Sequence, residues 1–305
     1  MTQSTDLCNF DLPMRKMTML KIFYIFRDFG HFLLGDFLYE WLTLLVRMKY
    51  FPNIKNPRSF NEKLVHRKLF APPKDSHIIA DKSAVREIVK DKVGDEILNK
   101  VYFLGDDSEK IPFDYLPDQF IIKFTHNSGN NIVVKDKSSI NVDKIKRLCT
   151  TELSRKFGWE ACEKWYLDIP PQIIIEELLI DSEHDIPLDY KFFMFHGQCA
   201  FIQVIAGRFG KKTSRCLMSP DWELLNVRYK YPIGSPPEKP QKLNQMIEIA
   251  STLSQDFDFI RVDLYLVNQK DIRFGELTLA PFAGHGPFTP TSKDFEFGAL
   301  WSQKN

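Results

Sequence analysis

Arg261-Val262-Asp263 and Glu276-Leu277-Thr278 are the residues of this chain whose types and spacing could do chemistry together. Side chains alternate faces along a strand, so Arg261 and Asp263 share one face, and Glu276 and Thr278 share one face of a partner strand. The residues between them read as a hairpin with a polar turn at Asn268–Asp271. Pairing Val267 with Ile272 sets Asp263 opposite Glu276. Facing carboxylates repel, whereas Mg²⁺ is commonly held by one or two carboxylates together with substrate phosphates. Two carboxylates and an arginine aimed at one point therefore suggest a magnesium–nucleotide site. The competing reading is an edge hairpin carrying a solvated acidic pair.

A second feature is Lys123-Phe-Thr-His-Asn-Ser-Gly-Asn-Asn131. A lysine at a strand end, followed by small polar residues and a glycine, can wrap backbone N–H groups round phosphate oxygens. It lacks the second glycine of a Walker A loop, and Asn-Ser-Gly-Asn also suits an ordinary hairpin turn. A lysine, a glycine flap and a carboxylate pair are nonetheless the parts that phosphoryl chemistry requires.

These residues need elements to hold them. Residues 17–50 read as amphipathic helices in which Lys21, Arg27, Asp28, Asp36, Glu40 and Arg47 interrupt the apolar run. They are too polar to span a membrane, which leaves packing on the protein's own core or peripheral membrane contact. Ser59 and Glu62 fit a capping box opening a helix through about Phe70, which would present Lys63, Arg67 and Lys68. A helix opens in Ala80–Glu87 and ends near Gly94. Strands follow at Lys100–Leu104, Phe120–Lys123 and Ile132–Val134, then a helix over Val142–Phe157 and a buried strand Ile173–Ile175 running into Glu176-Glu177. Asp189–Phe195 and Cys199–Ile205, joined at His196-Gly197, form another hairpin, and a helix at about Gln241–Ser254 precedes the metal-type hairpin. The class is α+β, with antiparallel hairpins instead of repeated βαβ units.

Net charge is only +1, so no electrostatic footprint for nucleic acid is present. The 26 phenylalanines imply broad apolar contact surfaces. Cysteines 8, 149, 162, 199 and 216 are odd in number and scattered, which argues against a disulfide framework or a zinc site and fits a reducing compartment. The first residues lack the basic and apolar regions of a secretory signal, so a cytoplasmic location is expected, with the inner face of the membrane as the place where residues 17–50 would dock.

Taken in order, Asn56-Pro-Arg-Ser-Phe-Asn-Glu-Lys63, Ala80-Asp-Lys-Ser-Ala-Val-Arg86, His126-Asn-Ser-Gly129, Asp189-Tyr-Lys191-Phe and Phe274-Gly-Glu-Leu-Thr278 resemble the TupA-like family of the ATP-grasp superfamily. The resemblance runs from about residue 50 to 300. It implies an ATP-grasp fold of two α/β lobes clasping ATP, with an N-terminal helical segment (1–55), an N-terminal lobe (56–115), a lid with the glycine loop (116–175) and a C-terminal lobe with the metal hairpin (176–305). It implies that Lys82 and Lys123 contact the phosphates, that His126, Ser128 and Gly129 belong to the loop over the triphosphate, and that Glu176, Glu177 and Leu179 belong to the hinge that reads adenine. Asp189 would hold the ribose, Asp263 and Glu276 the Mg²⁺, and Arg261 the transferring phosphoryl group. Thr278 stands where the superfamily usually has asparagine as a further metal ligand, and a hydroxyl binds Mg²⁺ less well.

Lys191 and Arg208 could meet an anionic substrate or the γ-phosphate, or be surface strand charges. His126 could orient a phosphate or close a turn; His285 could contact the acceptor or only shape its loop. Lys63, Arg67 and Arg86 could line a groove for glycan carboxylates, or be solvated helix charges. The activity implied is an ADP-forming carboxylate–amine ligase acting through an acyl phosphate. It would join an amino acid or amino alcohol to a sugar acid of a surface polysaccharide. The rival expectations are a glycosyltransferase, with Asp256-Phe-Asp258 as its metal motif, and an ATP-dependent glycan kinase.

Overall fold

A computed structural model of the chain describes residues 5–6, 31, 33–207 and 213–303. Residues 33–48 form a helix, α1; Lys21, Arg27, Asp28 and Arg208 lie outside the described residues. The expected capping box is present: Ser59 Oγ accepts from Glu62 N at 3.1 Å, and Glu62 Oε2 accepts from Ser59 N at 3.0 Å. It satisfies donors that a first helical turn leaves unpaired, which is why α2 (Phe60–Phe70) begins there.

The sequence reading placed Arg67 and Lys68 on the outside of α2, and this is corrected. Arg67 is buried, donating to the carbonyls of Phe259 at 2.9 Å and Leu279 at 3.1 Å and to Asp258, while Lys68 Nζ lies 2.8 Å from Glu40. The reason is coverage on both sides. Val65 packs with Leu44 and Met48 of α1, and Phe60 and Leu64 enter the main core. Lys63 also folds back, donating to the carbonyls of Gly298 (2.8 Å) and Trp301 (2.5 Å).

Asp81-Lys82-Ser83 turns the chain between α3 (Ser76–Ala80) and α4 (Val85–Val93), and Gly94, at φ 93°, ends α4. A first sheet contains β1 (Thr5–Asp6), β2 (Val101–Gly105), β3 (Phe120–Phe124), β4 (Ile132–Val134) and β5 (Ile173–Glu177), in the order β1-β4-β3-β5-β2. Because β2 lies beside β5, this sheet runs across the boundary expected at residue 115. Ile145 and Cys149 of α5 (Val142–Leu153) pack on Phe120, Ile122 and Ile175. The helix expected through Phe157 stops at Leu153, and Phe157 packs edge-on against Tyr166 at 4.9 Å.

The second sheet is antiparallel throughout and has the order β12-β11-β6-β7-β8-β9. Its strands are β6 (Asp189–Phe195), β7 (Gln198–Ala206), β8 (Ser214–Met218), β9 (Leu224–Leu225), β11 (Phe259–Val267) and β12 (Asp271–Thr278); β10 (Arg228–Tyr229) pairs separately with β13 (Phe288–Thr289). α6 (Leu243–Ser254) packs on β6, β7 and β11. On the aromatic side, Phe60 lies 4.9–6.1 Å from Phe193, Phe195, Phe259 and Phe288, with α7 (Ser292–Ala299) alongside α2. Much of the phenylalanine content is accounted for here.

The β11–β12 register departs from expectation at the turn. Val267 pairs with Asp271 and Leu266 with Ile272, one step tighter than predicted. A bulge between Asp263 and Leu264 then takes Gly275 out of the ladder, and Asp263 still faces Glu276. The predicted facing pair is present, reached through a tighter turn and one extra residue.

Candidate active site

One rung of the larger sheet is polar across four strands. Glu276 faces Asp263, Asp263 faces Lys191, and Lys191 faces Gln203. On a neighbouring rung Thr278 faces Arg261. Arg261 Nε donates to Asp263 Oδ1 at 2.6 Å, and its Nη2 reaches Asp263 Oδ2 at 2.7 Å. The same Nη2 lies 2.7 Å from Glu276 Oε1 and 2.9 Å from Thr278 Oγ1, and the Thr278 hydroxyl donates to Glu276 at 3.0 Å. Three oxygens from three side chains thus converge on one cationic nitrogen. They are hard donors of the kind Mg²⁺ takes.

Although 46% of the Glu276 side chain stays exposed, the packing around it would raise the carboxyl; Arg261, Lys191 and Lys82 outweigh that and hold the group down at about 2. Asp263 is shifted upward by its burial despite Arg261 and Lys191. Burial disfavours the Arg261 charge, yet Asp263 and Glu276 keep it protonated above its ordinary range. Lys191 bonds Asp263 and lies 2.9 Å from Asp189, with only 7% of its side chain exposed, so it is not a surface strand charge. Asp189 is fully buried, with Lys191 Nζ 2.9 Å from its Oδ2.

The smaller sheet contributes a second cluster. Lys123 Nζ donates to Glu176 Oε2 at 2.5 Å from the adjacent strand. Arg86, on α4, donates to Glu176 Oε1 at 2.9 Å and to the carbonyl of Asn99 at 2.6 Å. Arg86 thus belongs to this cluster, and the reading of it as a groove-lining or solvated charge is corrected. Glu177 accepts from Lys100 N at 3.0 Å, and Leu179 follows, half-buried, just beyond β5. Lys82 donates to the carbonyls of Phe124 (2.7 Å) and Asn127, fastening the glycine loop from below. Burial pulls its ammonium down to about 8, against the opposing field of Glu276. Lys82 therefore feels both clusters, since Lys123, Glu176 and Glu276 all act on it.

In the loop, Gly129 (φ 91°) and Asn130 (φ 55°) take left-handed conformations, Ser128 is exposed, and Asn127 and Asn130 both donate to Glu152 Oε2 at 3.3 and 3.1 Å. His126 is buried with Nε2 3.1 Å from the Glu152 carbonyl, so it closes the loop onto α5. His285 is likewise structural: its Nε2 lies 2.7 Å from Glu40 Oε2 of α1. Asp256 pairs with Lys92 at 2.6 Å and Asp258 with Arg67, so both carboxylates of the D-x-D sequence are engaged by cations of the protein. His31, Asp36 and Cys162 bring ligand-type atoms within 4.8 Å, but Lys164 already pairs with Asp36.

Glu163 was not singled out by sequence. Burial pushes its carboxyl up to about 7, with Lys68 opposing the rise and the negative charges of Glu40 and Glu276 adding to it. No local signal could have found it: it stands alone ahead of a short helical turn, away from every motif.

The family described as TupA-like ATPgrasp matches residues 62–302. No curated protein matches the chain. Among solved structures, the chain is similar to D-alanine–D-alanine ligase from Bacillus anthracis complexed with ATP, at 15% identity over 67% of this chain and 56% of that one, TM-score 0.41. It is similar to an L-amino acid ligase from Bacillus licheniformis, at 10% identity over 72% and 48%, TM-score 0.46. It is also similar to the ATP-grasp ligase PsnB complexed with a minimal precursor, at 12% identity over 70% and 55%, TM-score 0.38. The chain spans about half the length of these structures. The family match covers most of the chain, including the carboxylate rung, the lysine pair and the glycine loop, and so the chain belongs to the TupA-like ATP-grasp family.

Proposed function

We propose that the protein is an ATP-dependent carboxylate–amine ligase that forms ADP and an amide. The observation that supports this most is the convergence of Asp263, Glu276 and Thr278 oxygens on one cationic position, within the field of Lys82. Mg²⁺ held by these residues would neutralise phosphate oxygens of the nucleotide. Arg261 would meet the negative charge that develops at the transferring phosphoryl group. Lys82 and Lys123 contact the phosphates, and the loop carrying His126, Ser128 and Gly129 covers them.

A substrate carboxylate oxygen attacks the γ-phosphorus, the bond to the β-phosphate bridging oxygen breaks, and ADP leaves. The amine then attacks the acyl carbon and inorganic phosphate departs, its proton lost to a base or to solvent. No enzyme nucleophile is required. The carboxylate is assigned to a sugar acid of a surface glycan or its precursor, and the amine to an amino acid or amino alcohol.

The test is ADP release by the purified protein with Mg-ATP, a free uronic acid and a panel of amines, with hydroxylamine as a trap for the acyl phosphate. ADP formation that needs both substrates, and a hydroxamate product in the trap, supports the ligase. A phosphorylated sugar formed without any amine identifies a kinase instead, and consumption of a nucleotide-sugar without ATP identifies a glycosyltransferase.

A further inference from the structure

The outward side of α1 is carbon. Its exposed large residues are Leu33, Leu34, Phe37, Leu38, Leu42 and Val46, and the chain continues into Phe51; Leu33, Val46 and Phe51 are 63, 74 and 83% exposed. Leu34, Leu38 and Leu42 recur every fourth residue, which aligns them along one stripe. Phe70 of α2 extends the patch, with its ring 6.2 Å from that of Phe37. The helix cannot readily turn this stripe inward. Its opposite side is committed through Leu44 and Met48 to Ile54 and Val65, and through Glu40 to Lys68 and His285.

The exposed charges on α1 and the turn after it are cationic. Between residues 33 and 55 the exposed charged residues are Arg47, Lys49 and Lys55, with no exposed Asp or Glu among them. The two acids of this stretch are engaged elsewhere, Asp36 with His31 and Lys164, and Glu40 with Lys68. Lys55 Nζ stands 5.7 Å from the Phe37 ring, so cation and apolar surface adjoin. The preceding sequence from residue 11 to 28 adds Arg15, Lys16, Lys21 and Arg27 against Asp11 and Asp28. Among the described residues no helix is long and apolar enough to cross a membrane.

We propose that this face of α1, with Phe51 and Phe70, is a docking surface for an anionic lipid bilayer, lying in the headgroup boundary with Lys49 and Lys55 against lipid phosphates. Contiguous exposed apolar patches rimmed by polar groups mark partner or membrane surfaces, and an amphipathic helix with cations at its border binds in the interfacial plane. A second copy of the chain suits the face less well, since self-association would bring the same cations together. The proposal does not depend on the ligase reading. The two meet only through Glu40, which ties α1 to His285 in the loop after β12.

The experiment is co-sedimentation of the full chain, without ATP, with vesicles of phosphatidylcholine alone and of phosphatidylcholine mixed with phosphatidylglycerol. The wild type should pellet with the anionic vesicles, release as salt rises toward about 1 M, where charges are screened within ~3 Å, and remain largely free with phosphatidylcholine alone. Leu38→Glu with Leu42→Glu should lower partitioning at least about tenfold, and Lys49→Glu with Lys55→Glu should abolish the preference for anionic vesicles. If the double leucine variant loses its circular dichroism, Phe51→Ser carries the test, because that ring is 83% exposed. A wild type that stays in the supernatant with anionic vesicles at low salt overturns the proposal. So does a dimer in sedimentation velocity that the leucine variant dissolves, which would give the face to a second copy.

Discussion

Asp263 is almost completely enclosed, with Arg261 and Lys191 on its oxygens, whereas the Glu276 side chain is 46% exposed. The two carboxylates look equivalent in the sequence, yet their removal should have different consequences. Glu276→Gln should reduce ADP formation by about 10²-fold or more while changing stability by no more than about 1 kcal/mol, the range for a solvent-accessible pair. Asp263→Asn should also lose activity, but at a cost on the order of 3 kcal/mol, because it leaves buried cations undercompensated. Thermal melts beside turnover distinguish them; equal melting points for the two variants would contradict this assignment of burial. Lys82 gives a pH signature. Its ammonium, pulled down to about 8, is charged below that pH and neutral above it. ATP affinity measured by calorimetry should therefore fall as pH rises past about 8, by about tenfold at most. Lys82→Arg should flatten the profile, since arginine stays protonated. A wild-type affinity unchanged to about pH 9.5, still below the usual lysine value, would remove Lys82 from the phosphate contacts.

The β11–β12 hairpin shows how an element corrects a local misreading. Sequence placed Asp263 opposite Glu276 by assuming a loose turn; the fold tightens the turn and restores the pair with a bulge at Gly275. A Cβ at Gly275 would stand 2.9 Å from the Asp263 carbonyl oxygen and 3.0 Å from Tyr265 Cε2. The carbonyl belongs to the backbone and cannot swing aside, so the bulge tolerates no larger residue without moving. Gly275→Val should disrupt the Asp263–Glu276 pairing and lower ATP turnover at least about tenfold, with a stability loss of about 1–3 kcal/mol. Turnover near wild type would show that the bulge does not position the carboxylates. The capping box was legible beforehand because its signal is local, whereas a bulge is chosen by cross-strand fit and leaves little trace beyond a glycine.

At the scale of the whole molecule, Glu40 joins three separate regions: α1, Lys68 of α2 and His285 after β12. Burial opposes its charge, but Lys68 and His285 hold its carboxyl down at about 2, against an ordinary 4.5. A depressed carboxyl stabilises the fold above its unfolded value and loses that contribution as pH falls toward its folded value. Glu40→Gln should thus be less stable than wild type by about 3 kcal/mol at neutral pH. The gap should narrow from about pH 4.5 downward and nearly close by about pH 2. Denaturant titrations across that range check it, and a gap of constant size would refute the linkage.

Alternation, capping and turn chemistry are short-range properties, and they were enough to bring out the α+β class, the two hairpins, α2 and the Asp263–Glu276 pair. The destinations of the charged side chains were not legible. Arg67, Lys68, Arg86 and Lys191 looked alike as cations, and each found a partner far away in sequence: Asp258, Glu40, Glu176 and Asp263. Burying a charge is tolerable only where packing delivers an opposite charge or a set of carbonyls to meet it. Which cation receives that partner depends on how α1, α2 and the two sheets stack, so only the tertiary structure could decide it.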